Sequence, residues 1–370
     1  MRFEPFTEEP IGLVNADGTP AGKWEPADLG LDEDGLKSLY RWLVLTRAVD
    51  DRGLILVKQG RAGFFAQSAG QEAAMVGSAA PLRSDDWIFP AHRELGVCLV
   101  AGMSTADIFG QILGRTNDPA GGRQMPSHLG KGGDLRVVPP SSVVGSQIPQ
   151  AAGVALGIKI RGGDQVVACY FGDGATSEGD FHVGLNCAGV YRLPIVFVCQ
   201  NNQYAISIGL SGQTASKNIA VKAVAYGFDG YLVNGQDLLA VHGVTRQAVQ
   251  RAREGGGPAL LELVTYRYGP HSSADDDRRY RTREELDEWR ERRDPLRRMR
   301  RYLGHQGLWD DDREAELAAE CKRIVDEGLA VAEAAPEPGP ETIADHTFAR
   351  PYAFLTRQKE ALLADLEASR

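Results

Sequence analysis

Residues 166–202 read VVACYFGDGATSEGDFHVGLNCAGVYRLPIVFVCQNN, a stretch that combines two apolar runs with two polar motifs. The apolar runs at 166–171 and 195–199 predict two buried strands with a helical segment between them. Gly172-Asp173-Gly174 directly follows the first run, and Asn201-Asn202 follows the second. A right-handed βαβ unit brings both motifs to the carboxyl ends of neighbouring parallel strands, where open α/β sheets bind ligands. The stretch therefore predicts a parallel sheet with a ligand site at the ends of these strands.

Strands and helices alternate on either side of this stretch. Helical spacing of apolar residues, or a helix-like composition, predicts helices over 34–58, 71–80, 147–160, 177–190 and 238–253. Further apolar runs predict strands at 231–233 and 259–266. Strands that alternate with helices indicate an α/β fold, a mainly parallel sheet with helices on both of its faces.

The sequence indicates that the chain has three parts. Residues 1–34 are rich in Gly, Pro and acids and predict an irregular N-terminal arm, whereas 35–335 predict a single α/β domain. The AAPEPGP stretch then indicates a linker, so that 336–370 comprise a linker and a C-terminal helix over 351–367. Residues 115–145 have little periodicity and many Gly and Pro, which is typical of a segment that lines a site or orders on a ligand or partner.

Composition limits the classes of function. A formal net charge of −9 argues against general affinity for nucleic acid or an anionic membrane. No segment approaches the ~20 uninterrupted apolar residues of a membrane span. The five cysteines are widely spread with no Cys-x-x-Cys pair, which favours buried free thiols in a reducing compartment over a disulfide framework. We therefore expect a cytoplasmic protein.

The two polar motifs offer oxygen ligands of the kind that Mg²⁺ prefers. Asp173 supplies a carboxylate, Asn202 an amide oxygen and Tyr204 a backbone carbonyl, and Mg²⁺ binds about six oxygens, several of them from phosphate and water. Gly172 and Gly174 let the backbone approach a diphosphate. A dinucleotide fingerprint fits less well, because Gly-x-Gly-x-x-Gly would need a glycine where Ser177 stands. The predicted metal ligands are therefore Asp173, Asn202 and Tyr204.

The same motifs resemble those of a known family. Gly172-Asp173-Gly174 with Asn201-Asn202 is similar to the thiamine diphosphate motif, and the surrounding sequence resembles the alpha subunit of branched-chain 2-oxo acid dehydrogenases. Pyruvate dehydrogenase alpha subunits are close behind. The resemblance extends to GRQMPSH (122–128), SSVVGSQIPQAAG (141–153) and YRYGPHSSADDDRRYR (266–281). It implies the thiamine-diphosphate-binding fold of the diphosphate-binding type, with thiamine diphosphate and Mg²⁺ as cofactors.

The resemblance also implies roles for individual residues. His271 matches the family's active-site histidine on the loop that covers the phosphates, and it is the expected catalytic residue. His92 stands where many relatives have Tyr, and Gln200 stands where animal relatives have an Arg that binds the diphosphate. The residues expected to bind the cofactor are His92, Arg93, Ser142, Val144, Gly172, Asp173, Gly174, Ala175, Asn202, Tyr204, Ala205 and His271.

In the family two subunits share the active site, which implies that this chain does not act alone. The glutamate that activates the cofactor lies on a separate beta subunit in the family, and Glu72 belongs to the helix packing of this chain. The resemblance thus implies an α2β2 heterotetramer that decarboxylates a branched-chain 2-oxo acid such as 3-methyl-2-oxobutanoate. The acyl group would then pass to a lipoyl arm on an acyltransferase core.

Three other functions remain open at this stage. The chain could be a pyruvate or acetoin dehydrogenase alpha subunit, or a non-catalytic binding protein with the same fold. A self-sufficient thiamine enzyme would need a second, pyrimidine-binding domain, for which 370 residues with one magnesium motif leave too little room.

Overall fold

Five parallel strands form the central sheet of the computed structural model, which describes residues 1–350 and 352–369. In spatial order these strands are β1 (Trp87–Phe89), β2 (Val167–Gly172), β3 (Ile195–Asn201), β7 (Ala259–Val264) and β6 (Asp229–Asn234). Each neighbouring pair is parallel. Two short strands, β4 (Tyr204–Ala205) and β5 (Ile208–Gly209), form a separate antiparallel hairpin. The predicted mainly parallel sheet is confirmed.

Helices pack on both faces of this sheet, as predicted. They are α1 (Glu33–Lys58), α2 (Glu72–Ala79), α3 (Leu95–Val100), α4 (Thr105–Leu113), α5 (Gln147–Arg161), α6 (Gly179–Tyr191), α7 (Leu238–Arg253), α8 (Arg283–Asp287), α9 (Pro295–His305), α10 (Asp311–Ala334) and α11 (Ala353–Ala368). A π-helical turn, Glu288–Arg292, continues α8. No helix in residues 1–350 or 352–369 is long and apolar enough to cross a membrane.

Alternating side chains of the central strands enter two separate cores. Ala168 and Tyr170 of β2 belong to the larger core, which includes residues of α1, α2 and α7. Val167, Cys169 and Phe171 of the same strand belong to the core formed with α5 and α6. Because successive side chains of a strand point to opposite faces, a strand covered on both sides is apolar at every position. This is why these strands appear in the sequence as continuous apolar runs.

The helix after β2 begins slightly later than predicted. Asp173–Ser177 forms a 3₁₀ turn, and α6 starts at Gly179 instead of residue 177. Residues 173–175 therefore belong to the turn and not to the first turn of α6.

The N-terminal arm lies along the outer edge of the sheet. The backbone N–H of Phe6 donates to the Gly230 carbonyl at 2.8 Å, and the N–H of Ile11 donates to the Leu232 carbonyl at 2.9 Å. The arm contains a 3₁₀ turn at Pro26–Leu29. At the other end of the chain, α11 has no buried residue. Pro351, where the last helix was predicted to begin, and Arg370 lie outside the described residues.

Candidate active site

Asp173 and Asn202 meet at the carboxyl ends of the two central strands. Gly172, the last residue of β2, is in register with Gln200 of β3, so the residues that follow each strand are neighbours. The backbone N–H of Asn202 donates to Oδ1 of Asp173 at 3.2 Å. The structure therefore brings the two motifs together as the βαβ argument predicted.

The side chains of these two residues have little freedom. Asp173 is 1% exposed and Asn202 is 7% exposed. Burial raises the pKa of the Asp173 carboxyl above its usual value. A hydrogen bond from the Gln213 amide to its Oδ2 at 2.7 Å offsets only part of this shift. The Asn202 Oδ1 atom accepts the Tyr204 N–H at 3.3 Å, which gives the amide a defined orientation.

The third predicted metal ligand is the Tyr204 carbonyl, which follows in the β4–β5 hairpin. Nη1 of Arg267 lies 3.5 Å from this oxygen, and Nη2 donates to the Ile206 carbonyl at 2.9 Å. A methyl group on Gly174 would approach Cβ of Ala205 to 2.9 Å, so only glycine lets the hairpin lie this close. In the described parts of the chain, no group of three or more His, Cys, Asp or Glu side chains could hold a metal. A cation here would therefore need oxygens from phosphate or water as well.

All twelve predicted cofactor-binding residues line one cavity of about 470 Å³. The side chains of Phe64, Met125 and Ile206 also face this cavity and make part of its wall apolar. Ser142 and Val144 lie on its exposed side, where Val144 is 47% exposed. The structure thus assembles the predicted set, while the binding role of each residue stays a prediction.

Arg93 and His271 are in direct contact in the wall of this cavity. Nη2 of Arg93 lies 3.2 Å from Nδ1 of His271 and donates to the His271 carbonyl at 2.6 Å. Burial and then the charge of Arg93 lower the pKa of His271 to about 4, so its ring is neutral at pH 7. A guanidinium can only donate, so Nδ1 accepts and the ring proton lies on Nε2. His271 therefore presents an N–H donor from its other nitrogen.

The loop that carries His271 is held by hydrogen bonds of charged side chains with backbone groups and with the Tyr280 hydroxyl. The Asp275 carboxylate accepts the His271 N–H at 2.7 Å and the Tyr280 hydroxyl at 2.5 Å. Arg267 donates to the Tyr280 hydroxyl at 2.9 Å. Arg281 donates to the Tyr268 and Gly269 carbonyls. These contacts fix the loop in the position that holds His271 against Arg93.

Two pairs of side chains in the cavity were not predicted. His128 lies edge-on to His92, with ring centroids 4.9 Å apart, and its Nε2 is 2.8 Å from the Ser142 hydroxyl. Glu94 accepts the Gln200 amide at 2.5 Å. His128 occurs in the GRQMPSH motif and Glu94 directly follows Arg93. Both residues therefore lie in or beside stretches that the sequence had linked to the cofactor site.

Glu94 is a buried acid hydrogen-bonded to Gln200. Burial raises the pKa of the Glu94 carboxyl to about 7, although hydrogen bonds from backbone N–H groups oppose this shift. Burial also lowers the pKa of His92 to about 4. The cavity therefore contains several polar groups that are neutral, or partly neutral, near pH 7.

Glu72 does not line the cavity, in agreement with its predicted part in helix packing. It is fully buried, pairs with Arg47 of α1 and accepts the Gly70 N–H at 3.0 Å. Its neighbour Gln71 does face the cavity.

Comparison with known proteins places these features in a family. Residues 40–341 match the dehydrogenase E1 component family. The chain is 41% identical to the 2-oxoisovalerate dehydrogenase subunit alpha of Bacillus subtilis over 324 residues, which cover 87% of this chain and 98% of that protein. It is 42% identical to the 3-methyl-2-oxobutanoate dehydrogenase subunit alpha of Mycobacterium tuberculosis over 363 residues, covering 97% and 94%. It is also 41% identical to the pyruvate dehydrogenase E1 component subunit alpha of B. subtilis over 314 residues, covering 85% and 82%.

Proposed function

The chain belongs to the dehydrogenase E1 component family, and on this premise we propose that it is the alpha subunit of a branched-chain 2-oxo acid dehydrogenase. The observation that carries the proposal is the single cavity at the ends of β2 and β3, where all the residues matched to the family's cofactor site converge. The near-complete coverage of relatives named for 2-oxoisovalerate and 3-methyl-2-oxobutanoate supports the substrate.

Thiamine diphosphate and Mg²⁺ suit the groups in this cavity. Asp173, Asn202 and the Tyr204 carbonyl offer one charged and two neutral oxygens, which leaves positions on Mg²⁺ for phosphate and water. Arg93 provides a positive charge for the diphosphate. Nε2 of Gln71 is a buried donor that has no partner in residues 1–350 and 352–369, as expected for a group that faces an anionic ligand. When bound, thiamine diphosphate supplies the nucleophilic carbon and the electron sink for decarboxylation.

The protein's own contribution is to bind the cofactor and substrate and to orient them. Asp173 and Asn202 orient the metal end, and Arg93 binds negative charge beside it. His271 is neutral with its proton on Nε2, so it can donate a hydrogen bond from Nε2 to an oxygen of the cofactor or substrate. The loop contacts of Asp275 and Arg281 hold this donor in place.

The apolar wall of the cavity favours a branched substrate. Phe64, Met125, Val144 and Ile206 provide aliphatic and aromatic surface that a branched aliphatic chain can cover. Pyruvate, with one methyl group, would leave much of this surface uncovered. A pyruvate or acetoin dehydrogenase alpha subunit is nevertheless the second candidate, because the chain is 41% identical to a pyruvate dehydrogenase alpha subunit.

We propose that a beta subunit completes the site. The carboxylates that line the described cavity are Asp173, Glu94 and Glu178. Asp173 is assigned to the metal, and Glu94 is bonded to Gln200. The activating glutamate would come from the beta subunit of an α2β2 heterotetramer, which would pass the acyl group to a lipoyl arm on an acyltransferase core.

The test is a dye-linked decarboxylation assay with thiamine diphosphate and Mg²⁺, on this chain alone and with its beta subunit. We expect activity only with the beta subunit, and higher kcat/KM for 3-methyl-2-oxobutanoate than for pyruvate. Preference for pyruvate would keep the mechanism and change the substrate. Activity without a partner would refute the shared site, and no activity with either acid would favour a non-catalytic binding protein.

A further inference from the structure

Two glutamines outside the predicted site each contact one of the side chains assigned to the metal. We propose that Gln71 and Gln213 are positioning residues that set the orientation of Asn202 and Asp173 for a divalent cation. The inference rests on the proposed function, because it assigns a cation to those two side chains. It adds two residues, from separate segments of the chain, that determine how tightly the cation is held.

Hydrogen bonds determine which atom of the Asn202 amide is free for a metal. The Tyr204 N–H lies 3.3 Å from one atom of this amide, which must be the acceptor Oδ1. The other atom is then Nδ2, and it lies 3.3 Å from the Gln71 side chain. Because Nδ2 can only donate, Gln71 must present its oxygen, Oε1. Gln71 therefore stabilises the orientation that leaves Oδ1 of Asn202 as the metal-facing oxygen.

Gln71 is held rigidly enough to impose this orientation. It is 1% exposed and stands at the start of α2, where the Met75 N–H donates to its carbonyl at 3.1 Å. The preceding Gly70 has φ +95°, and a Cβ there would lie 2.3 Å from the Tyr266 carbonyl oxygen. The Gly70 carbonyl in turn accepts the Gln236 amide at 2.8 Å. The backbone before Gln71 is thus fixed against the segments that follow β6 and β7.

Gln213 orients the carboxylate of Asp173 in a similar way. Its Nε2 donates to Asp173 Oδ2 at 2.7 Å and lies 3.0 Å from the Ile208 carbonyl, which connects the carboxylate to the β4–β5 hairpin. The Gln213 N–H closes a turn onto the Leu210 carbonyl at 3.0 Å. An uncharged donor orients the carboxylate without competing for its charge, whereas a Lys or Arg at this position would compete with the metal.

Each glutamine also has one buried amide atom without a hydrogen-bond partner in the described chain. The atom is Nε2, a donor, in Gln71 and Oε1, an acceptor, in Gln213. Buried polar groups are nearly always paired, and Gln71 also lines the cavity, so its unpaired donor suits a ligand held there. A donor suits a phosphate oxygen, and an acceptor suits a water molecule bound to the cation. The two unpaired atoms have the polarity that a metal-diphosphate ligand requires.

The experiment is a Mn²⁺ titration followed by electron paramagnetic resonance, in which the signal of free Mn²⁺ reports the Kd. It uses the full chain with its beta subunit and saturating thiamine diphosphate. Gln71→Met and Gln213→Met remove the amides at similar volume, and we expect each to weaken Mn²⁺ binding about tenfold to a hundredfold.

The matched control is Gln250→Met on the exposed side of α7, where the amide also donates to a carboxylate, that of Glu254, at 3.0 Å. Its Mn²⁺ affinity should equal that of the unmodified protein. Unchanged affinity in folded Gln71→Met and Gln213→Met would overturn the inference. If Gln71→Met does not fold, an unchanged Kd in Gln213→Met would overturn it equally. Failure of the unmodified complex to bind Mn²⁺ with the cofactor would instead refute the proposed function.

Discussion

Asp173 combines burial with a net charge, and this combination needs a compensating ligand. Its carboxylate accepts only neutral N–H donors, from Asn202 and Gln213, in the described structure. A buried carboxylate without a cation is costly, whereas a divalent cation and its phosphate partners would offset that cost. Asp173 is therefore the single side chain on which the metal assignment depends most.

Asp173→Ala should abolish thiamine diphosphate binding in the presence of Mg²⁺ and leave the fold intact, because the cost of burying the charge disappears with the charge. Isothermal titration calorimetry measures the binding, and circular dichroism reports the fold. Asp164→Ala is the control, since Asp164 is an exposed carboxylate paired with Arg83. Normal cofactor binding or normal turnover by Asp173→Ala would contradict the assignment.

The buried ring of His242 should make the free energy of unfolding depend on pH. This residue of α7 is 6% exposed, and burial lowers the pKa of its ring from 6.5 to about 4. A histidine with a lowered folded pKa stabilises the protein above pH 6.5, and this stability is lost as pH falls towards 4. At pH 5 the loss is roughly 2 kcal/mol. Urea unfolding at pH 7.5 and pH 5 should show a smaller decrease in His242→Gln, whereas the exposed His305→Gln should behave as the unmodified protein does. Equal decreases in all three proteins would refute the effect.

Residues of the site could be predicted from the sequence where their chemistry is local. Asp173 and Asn202 each follow a strand directly, so their proximity comes from the geometry of the sheet. Arg93 and His271 needed the family resemblance, because their contact joins segments 178 residues apart. Glu94 and Gln200 are separated by 106 residues, and no spacing rule predicts that a buried acid accepts this amide.

At the scale of elements, α7 connects the sheet to the N-terminal arm through its capping residue. Oδ1 of Asp237 accepts the Leu239 and Ala240 N–H groups at 3.1 Å and so caps the helix. Oδ2 accepts the Leu13 and Val14 N–H groups at 2.6 and 2.7 Å. One buried carboxylate thus satisfies four backbone donors from two segments of the chain.

Asp237→Ala should lower the free energy of unfolding by about 2–4 kcal/mol, because it removes an N-cap and leaves buried N–H groups of the arm without an acceptor. Denaturant unfolding gives the magnitude, and limited proteolysis should show earlier cleavage within the first 30 residues. Asp310→Ala, which removes the exposed cap of α10, is the control and should cost about 1 kcal/mol. Equal losses in the two variants would mean that the arm gains nothing from Asp237.

Elements were predictable when their pattern was long enough to be periodic. The helix at 34–58 and the apolar strands of the sheet centre were found within one or two residues of their bounds. The elements β1, α3 and α4 were not predicted. The residues of α3 are buried on all sides, except at the last position, so no polar face marks it as a helix.

At the scale of the whole molecule, α6 presents apolar side chains outwards. Val183 and Val190 are 62% and 67% exposed, and they lie two turns apart on one face of this helix. Exposed apolar surface of this kind marks contact sites in assemblies. The proposed beta subunit is the partner that would cover it.

The double variant Val183→Glu with Val190→Glu should prevent co-purification with the beta subunit, because two carboxylates would be buried without partners at the contact. Size-exclusion chromatography of the co-expressed chains measures the assembly, and circular dichroism checks the fold of this chain. Val331→Glu, at a 55% exposed valine of α10, is the control. An intact heterotetramer with the double variant would place the beta subunit on another face.

The outer strands of the sheet are both covered by irregular backbone. Ile11 of the arm bridges to Val233 of β6, and Val137 bridges to Ile88 of β1. An uncovered strand edge can pair with a strand from another chain and so begins aggregation. The arm and the Gly-rich segment at 115–145 therefore cover the two outer strands. This cover should prevent such pairing during synthesis, before any partner subunit is bound. Removing the first dozen residues to simplify expression would uncover β6 and favour insoluble protein, even though no residue of the cavity would change.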